Sequence, residues 1–136
     1  MSTPHVVLIE DNPADVLLVQ IALEANGVAC EMRQFDNGRE ALKVLCPPEG
    51  VEPMFIPDAI LLDLNTPRSD GFDVLVQLRN TPHLAEVPVA IFTSSQATID
   101  KSRSSLLGAA RYIQKPSNLE EFLSTVGQAI KEMLAV

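Results

Sequence analysis

Five short apolar runs, each followed by a stretch with helical spacing, constrain this chain more than any other feature. Val6-Val7-Leu8-Ile9 is continuous and rich in β-branched residues, which suits a strand buried on both faces. Ala59-Ile60-Leu61-Leu62 and Val87-Pro88-Val89-Ala90-Ile91-Phe92 are of the same kind, and weaker runs fall at residues 29–34 and 111–113. Between and after them the spacing predicts helices over residues 13–26, 39–45, 72–80 and 97–107. A last helix is marked by one stripe: Leu119, Phe122, Leu123, Val126, Ile130, Met133 and Leu134. Asn12-Pro13 reads as an N-cap followed by proline in the first turn, Gly27 and Gly108 as stops, and Ser117 or Asn118 as the final cap. Five strand–helix units predict an α/β fold, a doubly wound five-stranded parallel sheet with helices on both faces.

Two stretches stand out from this pattern. The first helix carries Val16, Leu17, Leu18, Val19, Ile21, Ala22 and Leu23, more than one stripe can hold. That predicts either deep burial or an apolar outer patch. Residues 46–57 hold Pro47, Pro48, Pro53, Pro57 and Gly50, a density that predicts a long loop.

Composition removes several classes of function. The net charge of -8, from 18 acids and 10 Lys plus Arg, disfavours binding nucleic acid by charge. There is no Trp and one Tyr, so a base-stacking platform is not expected either. No apolar run approaches the roughly 20 residues of a membrane span. The N-terminus shows no signal peptide pattern, and Cys30, Cys46, His5 and His83 have no metal-type spacing. Two cysteines without a framework are read as reduced thiols, and the setting as cytoplasmic. A length of 136 residues suits one domain, residues 1–136.

A doubly wound sheet places its site beyond the carboxyl ends of its strands. The residues there are Glu10-Asp11 after the first strand, Asp63 after the third, Thr93-Ser94-Ser95 after the fourth and Lys115 after the fifth. Taken singly, each has an ordinary explanation. Acids after a strand often cap a helix, but Asn12 already fills that role here. Asp63 lies between Leu62 and Leu64, where a carboxylate needs water, a partner or a metal. Three acids against one lysine leave an excess of negative charge that a cation would relieve. Mg²⁺ suits such a set, with Asp11, Asp63 and the backbone carbonyl of Asn65 as expected ligands and Glu10 acting through water. A carboxylate can also attack phosphorus to form an acyl phosphate, with Lys115 stabilising the phosphoryl oxygens.

The motifs Leu8-Ile9-Glu10-Asp11-Asn12, Leu61-Leu62-Asp63-Leu64-Asn65-Thr66-Pro67 with Asp70-Gly71, Thr93-Ser94, and Gly108-Ala109 with Tyr112-Ile113-Gln114-Lys115-Pro116 occur in order. In this the chain resembles the receiver domain of response regulators, across nearly its whole length. The resemblance implies a flavodoxin-like sheet of order 2-1-3-4-5 and a single receiver domain with no output domain. It implies that Asp63 is phosphorylated by a histidine kinase and that Glu10 and Asp11 form the acidic pair. It implies that Thr93 follows the phosphoryl group, that Lys115 contacts a phosphoryl oxygen, and that the Lys115–Pro116 bond is cis. Tyr112 would be the switching aromatic, changing the face made by the fourth helix, fifth strand and fifth helix. The segment Asn12-Pro13-Ala14-Asp15, the long loop and Pro67-Arg68-Ser69-Asp70-Gly71 resemble stand-alone regulators serving phytochrome-type photoreceptor kinases. The implied partners are such a kinase and a downstream or phosphotransfer protein, and some members of that branch form homodimers.

Three rival functions fit less well. A dehalogenase-type aspartate phosphatase needs a second acid two residues after the nucleophile, where this chain has Asn65. A degenerate receiver acting only as a binding module would have lost signature positions, and all five are present. A flavodoxin-like cofactor binder would set its phosphate against Glu10-Asp11.

Overall fold

A computed structural model describes residues 3–94 and 97–135; Ser95, part of the expected end of the fourth strand, lies outside the described residues. The strands are β1 (His5–Ile9), β2 (Glu31–Phe35), β3 (Ala59–Leu62), β4 (Val89–Thr93) and β5 (Arg111–Gln114). The helices are α1 (Pro13–Ala25), α2 (Gly38–Leu45), α3 (Gly71–Arg79), α4 (Thr98–Leu106) and α5 (Leu119–Leu134). All strand pairs are parallel, in the order β2-β1-β3-β4-β5. The doubly wound sheet predicted from the alternation, and the order implied by the resemblance, are therefore both present.

Strand alternation sorts the core into two layers. Val6, Leu8, Leu61, Ala90 and Phe92 face Val19, Ala22 and Leu23 of α1 and Phe122, Val126 and Ile130 of α5. Val7, Ile9, Ile60, Leu62, Val89 and Ile91 face Ala41 and Leu45 of α2 and Val74, Leu75 and Leu78 of α3. β3 is buried at every position, as a central strand covered on both faces should be. β2 is an edge strand with an exposed Glu31 and Arg33, charges that discourage further pairing.

Caps set the helix starts. Asn12 accepts from the Ala14 and Asp15 N–H groups, Asp70 from Phe72 N–H, and Asn118 from Glu121 N–H. The final cap is therefore Asn118. The expected elements differ from the observed ones chiefly at their ends. β2 starts at Glu31, because Val28 N–H is spent on the carbonyl of Leu23 just after α1. β4 starts at Val89, because Val87 N–H bonds Leu84 O at the end of a 3-10 turn (Pro82–Leu84) and Pro88 has no N–H. Leu119, counted in the α5 stripe, is exposed, since it precedes the turn that reaches the core. The apolar excess of α1 resolves as an outer patch: Leu17 and Ile21 are 55% and 38% exposed.

The proline-rich segment 46–57 is a loop at the opposite end of the sheet from the β1 and β3 carboxyl termini. It is pinned there. Phe55 stacks on His5 with ring centroids 5.2 Å apart, and the Arg33 guanidinium lies 4.5 Å from the Phe55 ring centre. The following Asp58 accepts the His5 N–H at 2.8 Å.

Candidate functional site

The strand register builds the site. Ile9 pairs with Leu62, so Glu10 and Asp63 leave adjacent strands side by side, and Asp63 N–H bonds Ile9 O at 3.0 Å. On the other side Thr93 pairs with Gln114, and Lys115 N–H bonds Thr93 O at 2.7 Å. Carboxylate oxygens of Glu10, Asp11 and Asp63 lie within 4.8 Å of one another. Glu10 and Asp63 are buried while Asp11 is exposed, so the group opens to solvent on one side.

Lys115 crosses this group. Its ammonium donates to Glu10 Oε1, to Asp15 Oδ2 at 2.9 Å and to Asp63 Oδ2 at 3.2 Å. Three protons thus meet three carboxylates. The same nitrogen lies 5.0 Å from the Phe92 ring centre. The peptide bond before Pro116 is trans, since no cis bond occurs among the described residues, and this corrects the cis bond expected there. Trans is the lower-energy isomer by about 0.5–1 kcal/mol. The lysine is aimed instead by its carboxylates and by the N–H bond to Thr93.

Asn65 ties the acceptor strand to its neighbour. Its N–H bonds Asp63 Oδ1 at 3.0 Å, and its side-chain amide donates to Thr93 Oγ at 3.3 Å. The loop carrying Asn65 packs closely on α3: a Cβ on Gly71 would sit 2.5 Å from Leu64 Cα, so only glycine fits there. Thr93 is fully buried. Tyr112 lies farther along β5, half-buried against the Val7-side core, with Lys101 Nζ 5.7 Å from its ring centre.

Electrostatics follow from this crowding. Burial pushes the Glu10 carboxyl up to about 7; the hydrogen bond from Lys115 opposes this and the charge of Asp63 adds to it. Burial by itself would lower Lys115, but the hydrogen bonds to Glu10 and Asp15 and the charge of Asp63 outweigh it and hold the ammonium above its usual range. An acid whose folded value is raised is favoured by protonation, so its contribution to stability declines as pH rises from 4.5 through 7. The metal-free protein should lose melting temperature over that window, and Glu10→Gln should flatten the loss. Parallel pH profiles for the two would contradict the Glu10 environment.

Of the residues expected at the site, Glu10, Asp11, Asp63 and Lys115 converge; Asn65 joins them through its N–H bond to Asp63, and Thr93 through the Asn65 side chain and the Lys115 N–H. Tyr112 packs against the core layer of Val7, Ile9 and Leu62. Asp15 was not among the expected site residues. Its signal was its place in the first turn of α1, just past the acid pair and fixed by the Asn12 cap. Gln34 was also missed; its amide bonds the carbonyl of Glu10 at 2.7 Å.

A parallel 2-1-3-4-5 sheet with acids ending β1 and β3 and a lysine ending β5 is the plan of a response regulator receiver domain. The chain belongs to that family: the family model matches residues 6–127. It is thus a receiver-domain response regulator of two-component systems, and its relatives narrow the branch. It is 33% identical over 121 residues to response regulator Rcp1 of Synechocystis sp., spanning 89% of this chain and 82% of that protein. The crystal structure of the phosphorylated cyanobacterial phytochrome response regulator RcpA matches with a TM-score of 0.89 at 33% identity, over 98% of this chain and 96% of that one. The manganese-bound form of Rcp1 matches with a TM-score of 0.83 at 30% identity, over 98% and 96%.

Proposed function

We propose that this protein accepts a phosphoryl group on Asp63 from a sensor histidine kinase of the phytochrome type and passes the change to protein partners. The observation that carries the reading is the Asp63 carboxylate, held between Lys115 and the Asn65 N–H and set beside Glu10 and Asp11. The likeness to phytochrome response regulator RcpA supports the choice of kinase.

Asp63 is the nucleophile: one of its oxygens forms the new bond to phosphorus while the bond to the kinase histidine breaks. Lys115 donates to a phosphoryl oxygen and offsets its charge. Thr93 donates its hydroxyl to the same group; in the unphosphorylated protein the oxygen of that hydroxyl accepts from the Asn65 side chain. Tyr112 then repacks, and the α4–β5–α5 face presents a different surface to a downstream or phosphotransfer protein, or to a second copy of the chain. The protein promotes its own phosphorylation and dephosphorylation and turns over no other substrate. It works in the cytoplasm; among the described residues no helix is long and apolar enough to cross a membrane.

Three carboxylate oxygens close together, one of them on an exposed residue, are the hard donors that Mg²⁺ takes while keeping several waters. The residues present therefore fit that ion. Asp11, Asp63 and the carbonyl of Asn65 would hold it, with Glu10 acting through water. When bound, it supplies positive charge against the phosphoryl oxygens. The manganese-bound form of Rcp1 supports a divalent site.

The test is label uptake from acetyl phosphate with and without Mg²⁺, together with melting. Uptake should require the metal, and Mg²⁺ should raise the melting temperature. Asp11→Ala should remove both effects. Metal-independent uptake with unchanged melting would overturn the metal site.

A further inference from the structure

We infer that Asp15, in the first turn of α1, is the positioning residue that holds Lys115 in place during phosphoryl transfer. This rests on Asp63 being the acceptor. Lys115 has three carboxylate partners. Glu10 and Asp63 belong to the group of acids with close oxygens, whereas Asp15 does not. Phosphorylation converts Asp63 from a carboxylate anion into an acyl phosphate, whose two carboxyl oxygens are no longer charged and hold the ammonium less well. Any cation drawn to the acid group competes with the ammonium for Glu10 and Asp63. Asp15 is exempt from both changes.

It is also built not to move. Asp15 sits on a helix start fixed by Asn12, which accepts from both Ala14 and Asp15 N–H. The helix behind it is locked into the core by Val19, Ala22 and Leu23. Its side chain is 19% exposed, and its 2.9 Å contact to Lys115 is shorter than the 3.2 Å contact from Lys115 to Asp63. The plainer role for an acid at this place is to offset the positive end of the helix dipole. That role needs no lysine, and the two can be told apart by experiment.

In the step concerned, an Asp63 oxygen attacks the phosphorus of acetyl phosphate. The bond from phosphorus to the bridging acetate oxygen breaks, and acetate leaves with the electron pair. Lys115 stays protonated and donates a hydrogen bond to a phosphoryl oxygen. Asp15 touches none of the reacting atoms and acts through the lysine.

The test is a double-mutant cycle on the labelling rate with acetyl phosphate and Mg²⁺. Asp15→Asn should slow labelling about tenfold, the scale of one charged hydrogen bond. In a Lys115→Ala background the same change should alter the rate less than about twofold. Asp15→Glu, which keeps the charge, should recover part of the loss. In the metal-free protein, Asp15→Asn should also shift the Lys115 side-chain NMR signals. Equal slowing in both backgrounds would overturn the inference, as would a wild-type rate with unmoved Lys115 signals. Asp63→Asn serves as the control: label on that variant would refute the acceptor assignment, whereas no label beside an unaffected Asp15→Asn would refute Asp15 alone.

Discussion

Asp63→Asn should take up no phosphoryl group from acetyl phosphate or a cognate kinase, while its melting temperature stays level or rises. Asparagine has nearly the shape of aspartate and keeps an acceptor for the Asn65 N–H, which now bonds Asp63 Oδ1 at 3.0 Å. It lacks the anionic oxygen that attacks phosphorus, so the loss of labelling should be complete. The stability change has a separate cause. Asp63 is buried within 4.8 Å of two other carboxylates, and removing its charge relieves their repulsion at the cost of one contact to Lys115. Stoichiometric label on the variant, located by peptide mapping on Glu10 or Asp11, would show that another acid is the acceptor.

Phe92→Ala carries the largest expected cost in stability. Phe92 is fully buried, and its ring meets Phe122 edge-on, with centroids 5.7 Å apart and planes at 79°. Deleting a buried phenylalanine side chain costs about 3–5 kcal/mol. In a domain of this size that corresponds to a fall in melting temperature of roughly 10–20 °C. The variant should also weaken the site, because Lys115 lies over that ring and Thr93 is the next residue on β4. Phe92→Leu fills more of the space and should lose much less. Calorimetry on the metal-free protein separates the two, and a small loss for alanine would contradict the packing.

The fold was legible because its determinants are local and repeated. Val6–Ile9 and Ala59–Leu62 read as central strands since both faces are apolar, and the core layers bear this out. The ends of β2 and β4 were less legible. They depend on where Val28 and Val87 send their N–H groups, and those bonds involve turns whose geometry no propensity records. The acid group was legible because the Glu10-Asp11 pair and Asp63 each directly follow an apolar run. Asp15 was not, because its role depends on how α1 leans over the strand ends, and an acid in a first turn already has a sufficient local explanation. The trans bond before Pro116 shows the limit of resemblance: the motif was present, but the isomer was not the one it implied.

The hold that His5 and Arg33 keep on Phe55 acts as a clamp and has a practical consequence. It separates the molecule into a chemical pole and an anchoring pole. The five residues of β1, roughly 16 Å of extended chain, lie between them. The loop beyond the clamp turns at Gly50, whose positive φ of 86° marks a tight, solvent-facing bend. A fluorophore, a surface tether or an inserted peptide placed at that bend would be carried by a segment already fastened at its base. Such a handle would leave Lys115 and the acids unobstructed, so the proposed switch could be watched by an instrument attached to the opposite end of the sheet.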